Sequence, residues 1–129
     1  MNTQSKKARA AVTAGRTEDY FADGTISAKG KYVKGLRNGQ WKYYFRNGKL
    51  KAIGRYAQGK LAGSWKWYRE NGALMQTGSF KDEKRTGVWK RYRPHGTLYD
   101  EGKFANDKKI GQWRTYDVKG KLTKTTRHR

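Results

Sequence analysis

The chain has no cysteine, which excludes disulfides and thiolate metal sites while leaving its redox compartment open. Its two histidines, His95 and His128, fall in a turn and in the last residues, where solvation rather than metal ligation is expected. Only 34% of the 129 residues are hydrophobic against 32% charged, too little apolar material for a compact core of that length. No run approaches the roughly 20 apolar residues a membrane span needs, and the patch from Ala10 to Ala14 falls well short of a signal-peptide core. A cytoplasmic protein is the expectation. Acids are scarce too: 10 Asp and Glu face 31 Lys and Arg, a net charge of +21. Such a chain repels itself and attracts anions, whether nucleic acid, an acidic protein or an anionic lipid surface.

Catalytic chemistry is equally sparse. The carboxylates, among them Glu70, Asp82, Glu83 and Asp107, sit beside turns or lysines, as solvated carboxylates do. The glycines open no helix and lack the Lys-Ser/Thr of a phosphate loop. Neither an enzyme nor a cofactor or metal site is expected.

What the chain does have is a period of 24 residues. Trp41 recurs as Trp65, Trp89 and Trp113, each with a glycine two residues before it (Gly39, Gly63, Gly87, Gly111) and a tyrosine three after (Tyr44, Tyr68, Tyr92, Tyr116). A turn glycine follows (Gly48, Gly72, Gly96, Gly120), then a leucine (Leu50, Leu74, Leu98, Leu122). Next come Gly54, Gly78 and Gly102, with Tyr56, Phe80 and Phe104 two residues on. All 16 glycines fall into four columns of this comb. A degenerate first copy keeps Gly15, Tyr20, Gly24 and Gly30 but has Thr17 in the tryptophan column, as a capping unit would. The division that follows is a flexible basic arm over 1–14, a repeat array over 15–122 (four full units, the first degenerate, and a terminal half unit) and a basic tail over 123–129.

Each period reads as two strands, because Asp23-Gly24, Asn47-Gly48 and Asn71-Gly72 carry hairpin chemistry. The fold class expected is all-β: an elongated array of antiparallel β-hairpins, a twisted single-layer meander. A two-residue Asn-Gly loop pairs Tyr44 with Lys51 and Trp41 with Gly54, so that the indole covers the glycine. Trp41, Leu50, Gly54 and Tyr56 then share one face, the expected core, with Lys42 and Tyr44 on the other. A three-residue loop would instead set Tyr44 opposite Leu50. His95-Gly96 and Lys119-Gly120 leave room for that loop.

The residue after each tryptophan is basic in every full copy: Lys42, Lys66, Lys90 and Arg114. Two residues further along the same strand, and so on the same face, stand Tyr44, Tyr68, Tyr92 and Tyr116. These eight residues are the candidate binding site. Cations beside rings suit phosphate contacts and base stacking; exposed strands also carry lysine simply to discourage edge association.

The Gly-x-Trp-x-x-Tyr run, the Asn-Gly-x-Leu turn and the following Gly-x-(Tyr/Phe) resemble the MORN-repeat superfamily from Gly15 to about Leu122. They are most similar to the bacterial variant repeats of proteins labelled YwqK-type antitoxins. The resemblance implies a hairpin array used as a non-enzymatic binding or scaffolding module, antitoxin-like in some relatives and contacting anionic lipid in others. With a charge of +21, a protein partner is expected to present an acidic surface. The alternative is sequence-tolerant attachment to an anionic polymer or surface, nucleic acid or acidic phospholipid, through the basic and tyrosine stripe.

Overall fold

The computed structural model describes residues 15–129. The stretch read as a basic arm, residues 1–14, lies outside the described residues. Ten strands follow one another: β1 (Gly15–Tyr20), β2 (Ile26–Val33), β3 (Leu36–Tyr44), β4 (Leu50–Ala57), β5 (Lys60–Tyr68), β6 (Leu74–Lys81), β7 (Lys84–Tyr92), β8 (Leu98–Ala105), β9 (Lys108–Tyr116) and β10 (Leu122–His128). Each pairs antiparallel with the next, so the spatial order is the chain order and the fold is one open meander sheet. This is the all-β array expected, with a correction at its end. Most of the residues assigned to a basic tail form β10, whose Arg127 pairs with Gln112 of β9. Among the described residues no helix is long and apolar enough to cross a membrane.

The Asn-Gly turns take the three-residue form rather than the two-residue one. At Asn47-Gly48, the Phe45 N–H donates to Lys49 O and the Gly48 N–H to Phe45 O, both at 2.9 Å, enclosing a three-residue loop. Only Gly48 has a positive φ, +87°. The same two bonds close the turns at Phe21–Thr25, Arg69–Ala73, Arg93–Thr97 and Asp117–Lys121. Asparagine is therefore not there for left-handed backbone. Its Oδ1 accepts the N–H two residues on, Lys49 for Asn47 and Ala73 for Asn71, each at 2.9 Å. His95 and Lys119 can occupy that place because no positive φ is required of them. The two-residue turn with both φ positive lies at the opposite edge of the sheet, at Lys34-Gly35, Gln58-Gly59, Asp82-Glu83 and Asn106-Asp107.

The three-residue loop sets Tyr44 opposite Leu50, and Lys51 is then an extra residue that returns the ladder to Tyr43–Ala52 and Trp41–Gly54. Leu50 thus lies on the tyrosine face rather than with Trp41. The leucine column is not core: Leu50, Leu74 and Leu98 are half-buried and Leu122 is 47% exposed. The buried hydrophobic residues are Ala28, Tyr32, Trp41, Ala52, Trp65, Trp89, Phe104 and Trp113, with Asp19 and Asp100 buried beside them.

The indole does cover a strand glycine, but not the one it pairs with. A Cβ on Gly30 would lie 2.2 Å from the Trp41 ring, on Gly54 1.9 Å from Trp65, on Gly78 2.2 Å from Trp89 and on Gly102 2.2 Å from Trp113. Each indole N–H donates to the carbonyl just beyond that glycine: Trp41 to Lys31 at 3.1 Å, Trp65 to Arg55 at 3.1 Å, Trp89 to Ser79 at 3.2 Å and Trp113 to Lys103 at 3.2 Å. A bulge permits the reach. Between Lys29–Lys42 and Lys31–Asn38, three residues (Gly39, Gln40, Trp41) face Gly30 alone, and Gly39 takes φ +71°. Each tryptophan therefore fastens its hairpin to the preceding one.

Rings alternate edge to face down this side of the sheet, from Tyr32–Trp41 (centroids 5.3 Å apart) through Tyr56–Trp65 (5.4 Å) and Phe80–Trp89 (5.3 Å) to Phe104–Trp113 (5.1 Å). The ladder ends on His128, 6.3 Å from Trp113 and edge-on to it, so this histidine packs rather than standing free in solvent. One face thus carries the packing of a single-layer sheet. The other is left for different work.

Candidate binding face

Registration through the ten strands turns sequence columns into rows. On the face away from the tryptophans one row runs Glu18, Lys29, Lys42, Ile53, Lys66, Thr77, Lys90, Glu101, Arg114 and Thr125, each directly opposite the next. The four cations expected to form a stripe do share this row. Lys66 and Arg114 are exposed, Lys42 and Lys90 half-buried. Lys29 joins them directly opposite Lys42. Glu101 separates Lys90 from Arg114.

The tyrosines take a different posture from the one a stacking platform needs. Tyr44, Tyr68, Tyr92 and Tyr116 are half-buried opposite the leucine column. The Lys29 Nζ lies 5.9 Å from the Tyr44 ring centroid. The Tyr116 hydroxyl donates to Glu101 Oε2 at 2.6 Å, and this bond raises the phenol's pKa. At the first edge Tyr20 is tied to Glu18 in the same way.

A second basic column went unnoticed in the sequence. It is the residue after each strand glycine: Lys31, Arg55 and Lys103, with Ser79 the exception, and Arg127 continues the column after Thr126. Strand alternation puts it on the same face, two residues from the first row. Its signal was in the comb, since the glycines that mark it were already aligned. Lys29 had no such signal, because its column continues as Ile53, Thr77, Glu101 and Thr125.

The aromatic face has polar substitutions of its own. In the row Ala28, Tyr43, Ala52, Trp67, Gln76, Arg91, Asp100, the alternation of small and aromatic residues gives way to an ion pair. Arg91 donates from Nε to Asp100 Oδ1 at 2.9 Å and from its terminal nitrogen to Oδ2 at 2.6 Å. That bidentate bond raises the guanidinium pKa. Arg37 lies 5.1 Å from the Trp41 ring, Arg85 4.3 Å from Phe104 and Lys109 4.5 Å from Trp113. Arg85, Arg91 and Lys109 border a shallow groove of about 590 Å³ over Trp89, Phe104 and Trp113. Burial, reinforced by a hydroxyl–hydroxyl bond of 2.8 Å to Tyr56, pushes the Tyr43 pKa well above the ordinary phenol value.

Two consecutive periods, residues 37–58 and 61–82, match the MORN repeat variant family. Each match spans one hairpin with its three-residue turn, β3–β4 and then β5–β6. The match supports a MORN-repeat protein. None of the curated proteins matches the chain.

Proposed function

We propose that this MORN-repeat array is a non-enzymatic docking module whose charged face takes an acidic protein partner. The observation that carries the reading is the basic row, with the second basic column two residues along the strands from it, that Glu18 opens and Glu101 interrupts. Half-buried tyrosines, with Tyr116 tied to Glu101, favour charge recognition over the stacking of bases. Twist argues against a flat lipid surface. Neighbouring strands rotate by about 20–25°, so the rows turn through roughly half a revolution over the sheet, and a plane meets only part of them. An antitoxin-like role fits a partner whose contact surface is acidic, because the basic groove of a nucleic-acid-cutting toxin would repel this face.

The test compares polyglutamate, oligothymidylate and phosphatidylserine vesicles as ligands for the whole chain. A variant with Lys42, Lys66, Lys90 and Arg114 changed to glutamine serves as the control. Tight polyglutamate binding that the variant loses, with its circular dichroism unchanged, is expected. Oligothymidylate binding that exceeds polyglutamate and falls on Tyr44→Ala and Tyr68→Ala would replace the acidic protein with nucleic acid.

A further inference from the structure

The geometry points to a particular form of ligand: an extended acidic segment in polyproline II conformation, with a carboxylate at every third residue, laid across the strands along Lys42, Lys66 and Lys90. The inference rests on the acidic-partner reading and adds its conformation and spacing. Lys42 pairs with Ile53, Ile53 with Lys66, Lys66 with Thr77 and Thr77 with Lys90, so a lysine returns at every second strand. Strands lie about 4.7–4.9 Å apart, which places successive lysines about 9.4–9.8 Å apart. The residues between them are uncharged.

A polyproline II chain has three residues per turn and rises about 3.1 Å per residue, so every third side chain faces the same way at about 9.3 Å. Over the two intervals from Lys42 to Lys90 the mismatch is about 1 Å or less, and the turn of about 80–100° that four strand-to-strand rotations give the row over that span is taken up by the long, flexible lysine side chains. A β-strand ligand repeats on one side at about 6.6–6.8 Å and falls out of step at the first interval. An α-helix with acids seven apart repeats at about 10.5 Å and is out by about 1.4–2.2 Å over the same span. The conformation also suits the surface. Interior strands already pair their backbone groups with each other, so a crossing ligand is held through side chains and needs a backbone that water can satisfy. The tract has an end: Glu101 follows Lys90 in the row and repels the next carboxylate, leaving Arg114 beyond it.

The experiment uses the full chain and proline-rich peptides of equal length and equal glutamate count, with the glutamates spaced every second, every third or every fourth residue. A seven-residue-spaced helical peptide is the further competitor. Affinity is read by fluorescence anisotropy at low and at moderate salt. The three-residue spacing should bind about tenfold tighter than the other spacings. Lys66→Gln should abolish that preference, while Arg114→Gln preserves it and both variants keep the wild-type melting curve. Equal binding of all spacings, or equal loss in the two variants, overturns the pitch match and leaves the acidic-partner reading standing. Failure of every peptide where oligothymidylate or vesicles bind overturns both.

Discussion

Gly54→Ala should destabilise the array, against the usual direction for a glycine in a strand. Gly54 has no positive φ, so alanine is conformationally allowed there and would ordinarily gain about 0.4–1 kcal/mol by restricting the unfolded chain. Here the new Cβ would lie 1.9 Å from Trp65 Cδ2 and 2.1 Å from Cε2. Carbon atoms rest about 3.5 Å apart, so the indole must retreat by roughly 1.5 Å. In doing so it strains its 3.1 Å bond to Arg55 O and its edge contact with Tyr56. Overpacking of this kind costs about 1–3 kcal/mol and the bond about 1 more; less the gain from the restricted unfolded chain, the net loss is about 1–3.5 kcal/mol. The sharper assay is a double-mutant cycle followed by far-ultraviolet circular dichroism in urea. Trp65→Ala alone should cost about 3–5 kcal/mol. Once the ring is gone the added methyl meets nothing, so Gly54→Ala in that background should be neutral or mildly stabilising. Additive losses would mean that Trp65 does not lie on Gly54, and the proposed attachment between hairpins would fall.

Lys66→Ala, one residue from Trp65 and on the opposite face, should change stability by less than about 0.5 kcal/mol in the same urea assay. Arg91→Ala should cost about 1–3 kcal/mol by leaving the buried Asp100 without its guanidinium, and Arg91→Tyr with Asp100→Ala, which restores the Tyr43–Ala52 pattern, should recover most of it on thermal melting. Lys42→Gln should raise the stability of the free array at low salt by a few tenths of a kcal/mol, because Lys29 stands directly opposite, while weakening polyglutamate binding by anisotropy. The Arg85 backbone N–H and guanidinium hold the Asp107 carboxyl below its ordinary 3.8, and the Thr25 hydroxyl and N–H do so for Asp23. Because folding lowers these values, their contribution is present above pH 3.8 and lost as the pH falls through the lowered folded values. Acid titration of wild type should therefore show a loss of stability that Asp107→Asn makes shallower.

The period was legible because tryptophan and glycine tolerate little substitution where an indole must lie on a bare backbone. Which glycine it covers was not. Trp41 has Gly30 on one flanking strand and Gly54 on the other, and the Gly39 that precedes it carries no mark in the sequence of the bulge it forms. The choice is made by the bulge at Gly39, whose φ of +71° brings the ring across to Gly30. Likewise Asn47-Gly48 is compatible with a two- or a three-residue loop, and the extra residue that absorbs the difference, Lys51, has no sequence mark of its own. The leucine column was misplaced for that reason alone. At the candidate binding face, Lys42, Lys66, Lys90 and Arg114 were legible as a column, whereas Ile53, Thr77 and Glu101 between them became neighbours only through pairing. The Arg91–Asp100 pair was hidden in the same way, since its two halves occupy different columns.

A sheet with one packed face separates two demands that usually compete. Indole burial and ring contacts run continuously down the aromatic side, so each hairpin is stabilised by its neighbours and the opposite side contributes little packing. Changes on that side therefore act mainly through charge. Yet Lys29 opposite Lys42, and Lys81 opposite Lys84, are like-charge pairs that a sheet selected only for stability would replace, since each costs up to about 1 kcal/mol. Solubility needs a net charge of magnitude about 2–8 in a small domain, far below +21. Like-charge pairs of this kind are what a surface retains when an anion relieves them. On the proposed function, the free array is the strained state and a complex with an acidic partner the one in which both faces are satisfied.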